Sequence, residues 1–248
     1  MNTHQKDEAF IGEDAIKKKS DLWWYPEGPF WPLHKMNAWR LDYIVSHVCN
    51  AFGRDKTDKK PLEGLRILDV GCGGGLLSEA LHEKGAIVVG IDPIQNNIAV
   101  ASHHAEHMGY GIDYKNATVE DLRKNDNDAE FDVAVGMEVI EHVKDQLTFT
   151  RHMTELTKKD GLIFMSTISR TLPSLLFAKF AAEYILKLLP KGTHDWREFV
   201  KPKELSGWLE RFGCEVWDIQ GVKLNPFKKK FSYTRSTAMN YMIVAAKK

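Results

Sequence analysis

The sequence predicts an α/β fold: a mostly parallel sheet of seven strands flanked by helices, with an N-terminal helical arm and a lid insertion after the fifth strand. Three observations lead there. Beyond residue 60, short apolar runs alternate with stretches of helical periodicity, the pattern of βαβ units in a parallel sheet. A glycine-rich turn at residues 71–75 stands where the first apolar run ends and a helix begins. At 248 residues, 43% of them hydrophobic, the chain can bury one large core, which favours a single domain with insertions over two domains or a disulfide-stapled miniature.

Residues 1–21 are polar and read as a frayed leader, lacking both the apolar core of a signal peptide and the Arg-rich, acid-poor character of a transit peptide. Residues 23–40 hold four tryptophans and three prolines, too proline-rich for a helix and too aromatic for a linker, so they predict an ordered, irregular arm. From Lys35 the apolar residues Met36, Trp39, Ile44 and Val48 recur at helical spacing, and a helix runs to about Phe52. A polar loop over 53–64 leads to the first strand, Leu65 to Val70. A helix from Leu76 to Lys84, a strand from Ile87 to Ile91, a helix from Gln95 to Met108 and a short strand near Ile112 to Lys115 follow. Phe131 to Val135 is the fourth strand, Gln146 to Leu156 a helix, and Gly161 to Thr167 the fifth strand, opening after a Lys-Asp-Gly turn. A helix over Pro202 to Phe212, with proline in its first turn, and strands at Glu215 to Gln220 and Tyr241 to Ala246 complete the core.

Thirty-four basic and 34 acidic side chains cancel, so no whole-molecule charge draws the protein to nucleic acid. Cys49, Cys72 and Cys214 are few and far apart, against a disulfide framework or structural zinc and in favour of a reducing, cytoplasmic setting. No stretch has the roughly 18 uninterrupted apolar residues of a membrane span.

The strongest chemical signal is Leu68-Asp69-Val70-Gly71-Cys72-Gly73-Gly74-Gly75 at a strand-to-helix junction, where glycine lets backbone approach a ligand closely. Leu76 occupies the sixth place of the dinucleotide fingerprint, which weakens a pyrophosphate reading. Asp92 ends the next strand, where an acid accepts hydrogen bonds from both ribose hydroxyls, and an adenosine ligand follows. Glu120 and Asp121, after the third strand, either meet the adenine edge or are solvated loop acids.

This D-V-G-x-G-x-G turn with an acid ending the next strand resembles the Rossmann-like class I S-adenosylmethionine-dependent methyltransferases. Three further stretches narrow the resemblance to the ubiquinone-biosynthesis O-methyltransferases: Trp23-Trp24 with Pro32-Leu33-His34-Lys35-Met36-Asn37 and Arg40-Leu41-Asp42-Tyr43-Ile44; Met137-Glu138-Val139-Ile140-Glu141-His142-Val143; and residues 182–195 with Asn240-Tyr241-Met242. It implies an arm over residues 1–60 and an S-adenosylmethionine-binding catalytic domain over 61–248, including a lid at 172–195. It implies methyl transfer to hydroxyls of polyprenylated catechol or demethylubiquinol intermediates, at both O-methylation steps. The cofactor contacts it implies are Arg40, Gly71, Asp92 and Met137, beside Asp69 and Gly73 of the turn. Arg40 suits the methionine carboxylate through its forked guanidinium, and Met137 can pack on adenine or simply fill core.

A catechol hydroxyl, with a pKa of roughly 10, must lose its proton during transfer. Glu138, Glu141 and His142 share one face if their segment is helical. They then either hold Mg²⁺, or His142 with Glu141 serves as the catalytic base, or they merely cap a helix start. His194-Asp195 is a second candidate dyad.

The insertion carries a narrow charged stripe, Lys179, Glu183 and Lys187, on an otherwise apolar helix. Residues 172–190 would lie against lipid at the inner face of the membrane, cover an isoprenoid tail, or pack on the core, and basic residues from Lys223 to Arg235 would meet headgroups or solvent. The competing functions are methylation of another lipophilic phenol or a quinone carbon, an adenosine-cofactor oxidoreductase, and a non-catalytic binding module.

Overall fold

In the computed structural model, residues 11–124, 131–171, 174, 196–225 and 230–248 are described. Two N-terminal helices, α1 (Glu13–Trp23) and α2 (Trp31–Ala51), precede the alternating part: β1 (Arg66–Val70), α3 (Leu76–Glu83), β2 (Ile87–Asp92), α4 (Gln95–Met108), β3 (Asp113–Asn116), α5 (Val119–Lys124), β4 (Phe131–Met137), α6 (Gln146–Leu156) and β5 (Thr157–Ile168). A helix α7 (Pro202–Arg211) and strands β6 (Cys214–Asn225), β7 (Lys230–Thr234) and β8 (Asn240–Lys247) complete it.

Among the described residues the sheet has eight strands in the order β3-β2-β1-β4-β5-β8-β6-β7. The first five pair in parallel, and β8, β6 and β7 join antiparallel. Side chains alternate across the pleat, so each strand serves both faces. Ile67, Val133, Val135, Phe164 and Val244 pack with Ile44, Val48 and Leu81 of α2 and α3. Leu68, Ala134, Ile163, Tyr241 and Ile243 pack on the opposite side with Phe149, Met153 and Leu205 of α6 and α7. Chain order reverses between β1 and β4, and the crevice beyond the carboxyl ends of such a pair is where open α/β sheets take ligands.

Several expectations are corrected. The sheet gains an eighth strand, β7, which pairs as an edge with β6 in a stretch whose basic residues read as loop. Residues 13–23 are helical and pack on α4 instead of fraying. The arm is less irregular than its prolines suggest: α2 starts at Trp31, because Pro32 falls in the first turn, where its missing N–H costs nothing. Glu120 and Asp121 belong to a short helix, not a loop. The lid insertion at 172–195, with its lipid-facing stretch 172–190 and the His194-Asp195 pair, lies outside the described residues apart from Ser174. Among the described residues no helix is long and apolar enough to cross a membrane.

Candidate active site

The turn after β1 takes left-handed backbone at Gly71 (φ 71°), Gly73 (φ 56°) and Gly75 (φ 91°). A Cβ on Gly71 would come within 2.5 Å of Val139 Cγ2, and one on Gly75 within 2.5 Å of the Tyr114 hydroxyl. Glycine is therefore required by conformation and by space. Asp92 anchors the turn from β2: Oδ2 accepts from the Gly73 amide at 3.1 Å, and Oδ1 from the Ile94 amide at 2.8 Å and Asn97 Nδ2 at 3.2 Å. Burial raises Asp92 from its ordinary value despite these bonds. Asp69, buried, accepts from Ser78 Oγ at 2.6 Å, and its desolvation pushes it up to about 6.

At the switch point a cleft of about 190 Å³ opens between the ends of β1 and β4, lined by Arg40, Asn37, Asp69, Gly71, Met137 and Glu138 among others. Arg40 reaches it from α2, which Asn37 ties to the start of α3 by donating to the Leu76 carbonyl at 2.9 Å. Arg40 is buried, and its Nε and Nη2 have no hydrogen-bond partner. A buried guanidinium with idle donors beside a glycine turn fits an incoming carboxylate. Trp23 roofs the turn, stacked on Phe30 with 4.4 Å between ring centroids, close enough that a Cβ on Gly74 would meet its ring at 2.7 Å. Trp24 stacks on His104 at 3.7 Å, and His104 Nδ1 lies 2.9 Å from both oxygens of buried Glu79. The arm is thus pinned to α4 and α3.

The acidic segment departs from its expectation. Residues 138–142 are not an α-helix: Glu138 turns through left-handed backbone at φ 57°, and only Ile140–His142 form a single 3₁₀ turn. Glu138 faces the cleft, Glu141 is buried and accepts from Thr167 Oγ1 at 2.9 Å, and His142 is exposed. Glu138 and Glu141 lie side by side while His142 is exposed, and among the described residues no group of three His, Cys, Asp or Glu is arranged to hold a metal ion. The Mg²⁺ set Glu138, Glu141 and His142 is therefore not assembled. Desolvation, then the neighbouring Glu138 charge, raises Glu141 well above the carboxylate range, which favours its neutral form.

Arg40, Asp69, Gly71, Gly73 and Met137 thus converge on one cleft. Asp92 sits behind the Gly73 amide, outside the cleft lining. Asp121 does not reach the cleft either; its carboxylate accepts from the Thr118 amide at 3.0 Å and hydroxyl at 2.8 Å, capping α5. Sequence reasoning gave no role to Trp23, Asn37 or Thr167. Trp23 and Asn37 lie in the aromatic and Pro-Leu-His-Lys-Met-Asn stretches already singled out, whereas nothing around Thr167 signals its bond to Glu141.

The sheet order and the glycine cleft define a class I S-adenosylmethionine-dependent methyltransferase fold. A family model described as "Methyltransferase domain" matches residues 36–219. Magnesium protoporphyrin IX methyltransferase from Synechocystis, described with SAH bound, superposes with a TM-score of 0.64 at 18% identity, covering 95% of each chain. The ubiquinone biosynthesis O-methyltransferase of Rhizobium etli is 46% identical over 223 residues, 90% of this chain and 89% of that protein. Its counterpart in Methylobacterium nodulans is 45% identical over the same length. The chain belongs to the ubiquinone biosynthesis O-methyltransferase family.

Proposed function

We propose that the cleft binds S-adenosylmethionine with its carboxylate on Arg40, and that the protein methylates a hydroxyl of polyprenylated catechol and demethylubiquinol intermediates. The observation that carries this reading is the pair of idle Arg40 donors over the glycine turn, with Glu138 in the same cleft. The bound cofactor supplies an electrophilic methyl on a sulfonium sulfur. Glu138, a carboxylate lining the cleft, would take the acceptor's hydroxyl proton and leave the oxygen a lone pair for the methyl that the cofactor would give up as a neutral thioether. Burial of Glu141 behind it favours the neutral form of that neighbour. Trp23 roofs the turn and limits water at the reacting end. The apolar stretch 172–190 would meet the isoprenoid tail or a lipid surface, an inference from its sequence pattern alone.

The test is transfer of labelled methyl from S-adenosylmethionine to a short-chain prenylated catechol, with cofactor binding followed by calorimetry. Labelled ether supports the reading. Binding of the cofactor without transfer, or label on a ring carbon, would discard this acceptor, and binding of NAD in place of S-adenosylmethionine would discard the class of reaction.

A further inference from the structure

Glu138 is held in an unusual way. Left-handed backbone is uncommon outside glycine and persists only where the surroundings impose it. Ser166 does much of the imposing, because the pairing of β4 with β5 sets it opposite Met137. The Glu138 amide donates to the Ser166 carbonyl at 3.0 Å and to its Oγ at 3.1 Å. Ser166 Oγ–H in turn donates to Glu138 Oε1 at 2.6 Å, so this one residue grips both backbone and carboxylate.

Asn240 completes the hold. It opens β8, opposite Ile168 of β5, and its Nδ2 donates to the same Oε1 at 3.0 Å. Together with Tyr241 and Met242 it forms a motif of the sequence that the cleft lining leaves without a role. A carboxylate oxygen has two lone-pair directions, and Ser166 and Asn240 fill both on Oε1. Arg40 Nη2 approaches the same oxygen at 3.6 Å, and Oε2 is the oxygen that neither Ser166 nor Asn240 holds.

We infer that Ser166 and Asn240 are positioning residues for methyl transfer, fixing Glu138 by Oε1 so that its carboxylate is aimed at the acceptor's hydroxyl. The inference rests on the proposed role of Glu138 as proton acceptor. It adds a task to the cleft: beside Arg40, which lies 3.6 Å from the same oxygen, Ser166 of β5 and Asn240 of β8 aim the carboxylate by hydrogen bonds.

The experiment is a mutant cycle on full-length protein, with kcat measured on a short-chain prenylated catechol and cofactor Kd by calorimetry. Ser166→Ala and Asn240→Ala should each lower kcat roughly ten- to a hundred-fold, the order of loss that misplacing a reacting group produces. Cofactor Kd should stay within about two-fold, and in a Glu138→Gln background either substitution should cost no more than about two-fold further. Ser166→Thr, which keeps the hydroxyl, should recover most of the rate. Asn240 is only partly buried, so its substitution carries the test should Ser166→Ala not fold. Losses that multiply in the Glu138→Gln background, or a matching loss of cofactor affinity, would overturn the inference while leaving the acceptor intact. Absence of transfer by the wild type would overturn the reading of the acceptor and this inference with it.

Discussion

Arg40 and Glu138 face one another across the cleft with 3.6 Å between Nη2 and Oε1, an ion pair that leaves the guanidinium's Nε and Nη2 without a hydrogen bond. Arg40→Ala should weaken S-adenosylmethionine binding by about 1.5–3 kcal/mol, roughly ten- to a hundred-fold in Kd, the usual worth of hydrogen bonds to a charged group. Arg40→Lys keeps the charge but loses the fork and should fall between. Calorimetric titration of the three proteins decides it, and equal Kd values would remove Arg40 from the cofactor site.

Asp92 gathers three donors behind the glycine turn. Asp92→Ala should abolish measurable cofactor binding and lower Tm, since each buried donor left unpaired costs about 1–3 kcal/mol. A variant with unchanged Tm and weakened binding would confine Asp92 to ribose contact.

Gly71 carries two separable constraints, a left-handed φ of 71° and a Cβ position 2.5 Å from Val139 Cγ2. Gly71→Ala should destabilise the fold by about 1–3 kcal/mol. Adding Val139→Ala should recover only the part due to contact. Complete recovery in thermal unfolding would show that backbone strain contributes nothing.

The arm's anchor should respond to pH. Burial pushes Glu79 up to about 8, so its contribution to stability is complete below its ordinary value of 4.5 and is lost as pH rises through about 8. His104 runs the other way: burial lowers it from 6.5, the folded state resists its protonation, and stability drops as pH falls below 6.5. Tm should be greatest between about pH 4.5 and 6.5 and fall from there towards pH 8, and Glu79→Gln should flatten that alkaline fall. An alkaline fall as steep in Glu79→Gln as in the wild type would assign it to other groups.

Strands such as Phe131–Met137 were legible because parallel strands buried on both faces read as continuous apolar runs. β7 was not: as an edge strand, Lys-Phe-Ser-Tyr-Thr buries only Phe231, and its lysine reads as loop. α1 escaped because its eleven residues are mostly polar and acquire a packing face only once α4 is present. In the site, the glycine turn was readable from residue type and spacing and Arg40 from the family resemblance, whereas the fate of Glu138, Glu141 and His142 hinged on a backbone reversal at a glutamate. No propensity signals such a reversal, since strand neighbours impose it.

The last strand in chain order, β8, is an interior one, seated between β5 and β6. During synthesis, then, β5 and β6 have no partner in common until Asn240–Lys247 emerges, and both hydrophobic layers stay open along that seam. Because Asn240 also completes the hold on Glu138, a nascent chain short of β8 is both unclosed and unable to aim its carboxylate. Shortening the chain before Asn240 would remove a keystone instead of trimming an edge, and would leave a half-made sheet exposed to chaperones and proteases.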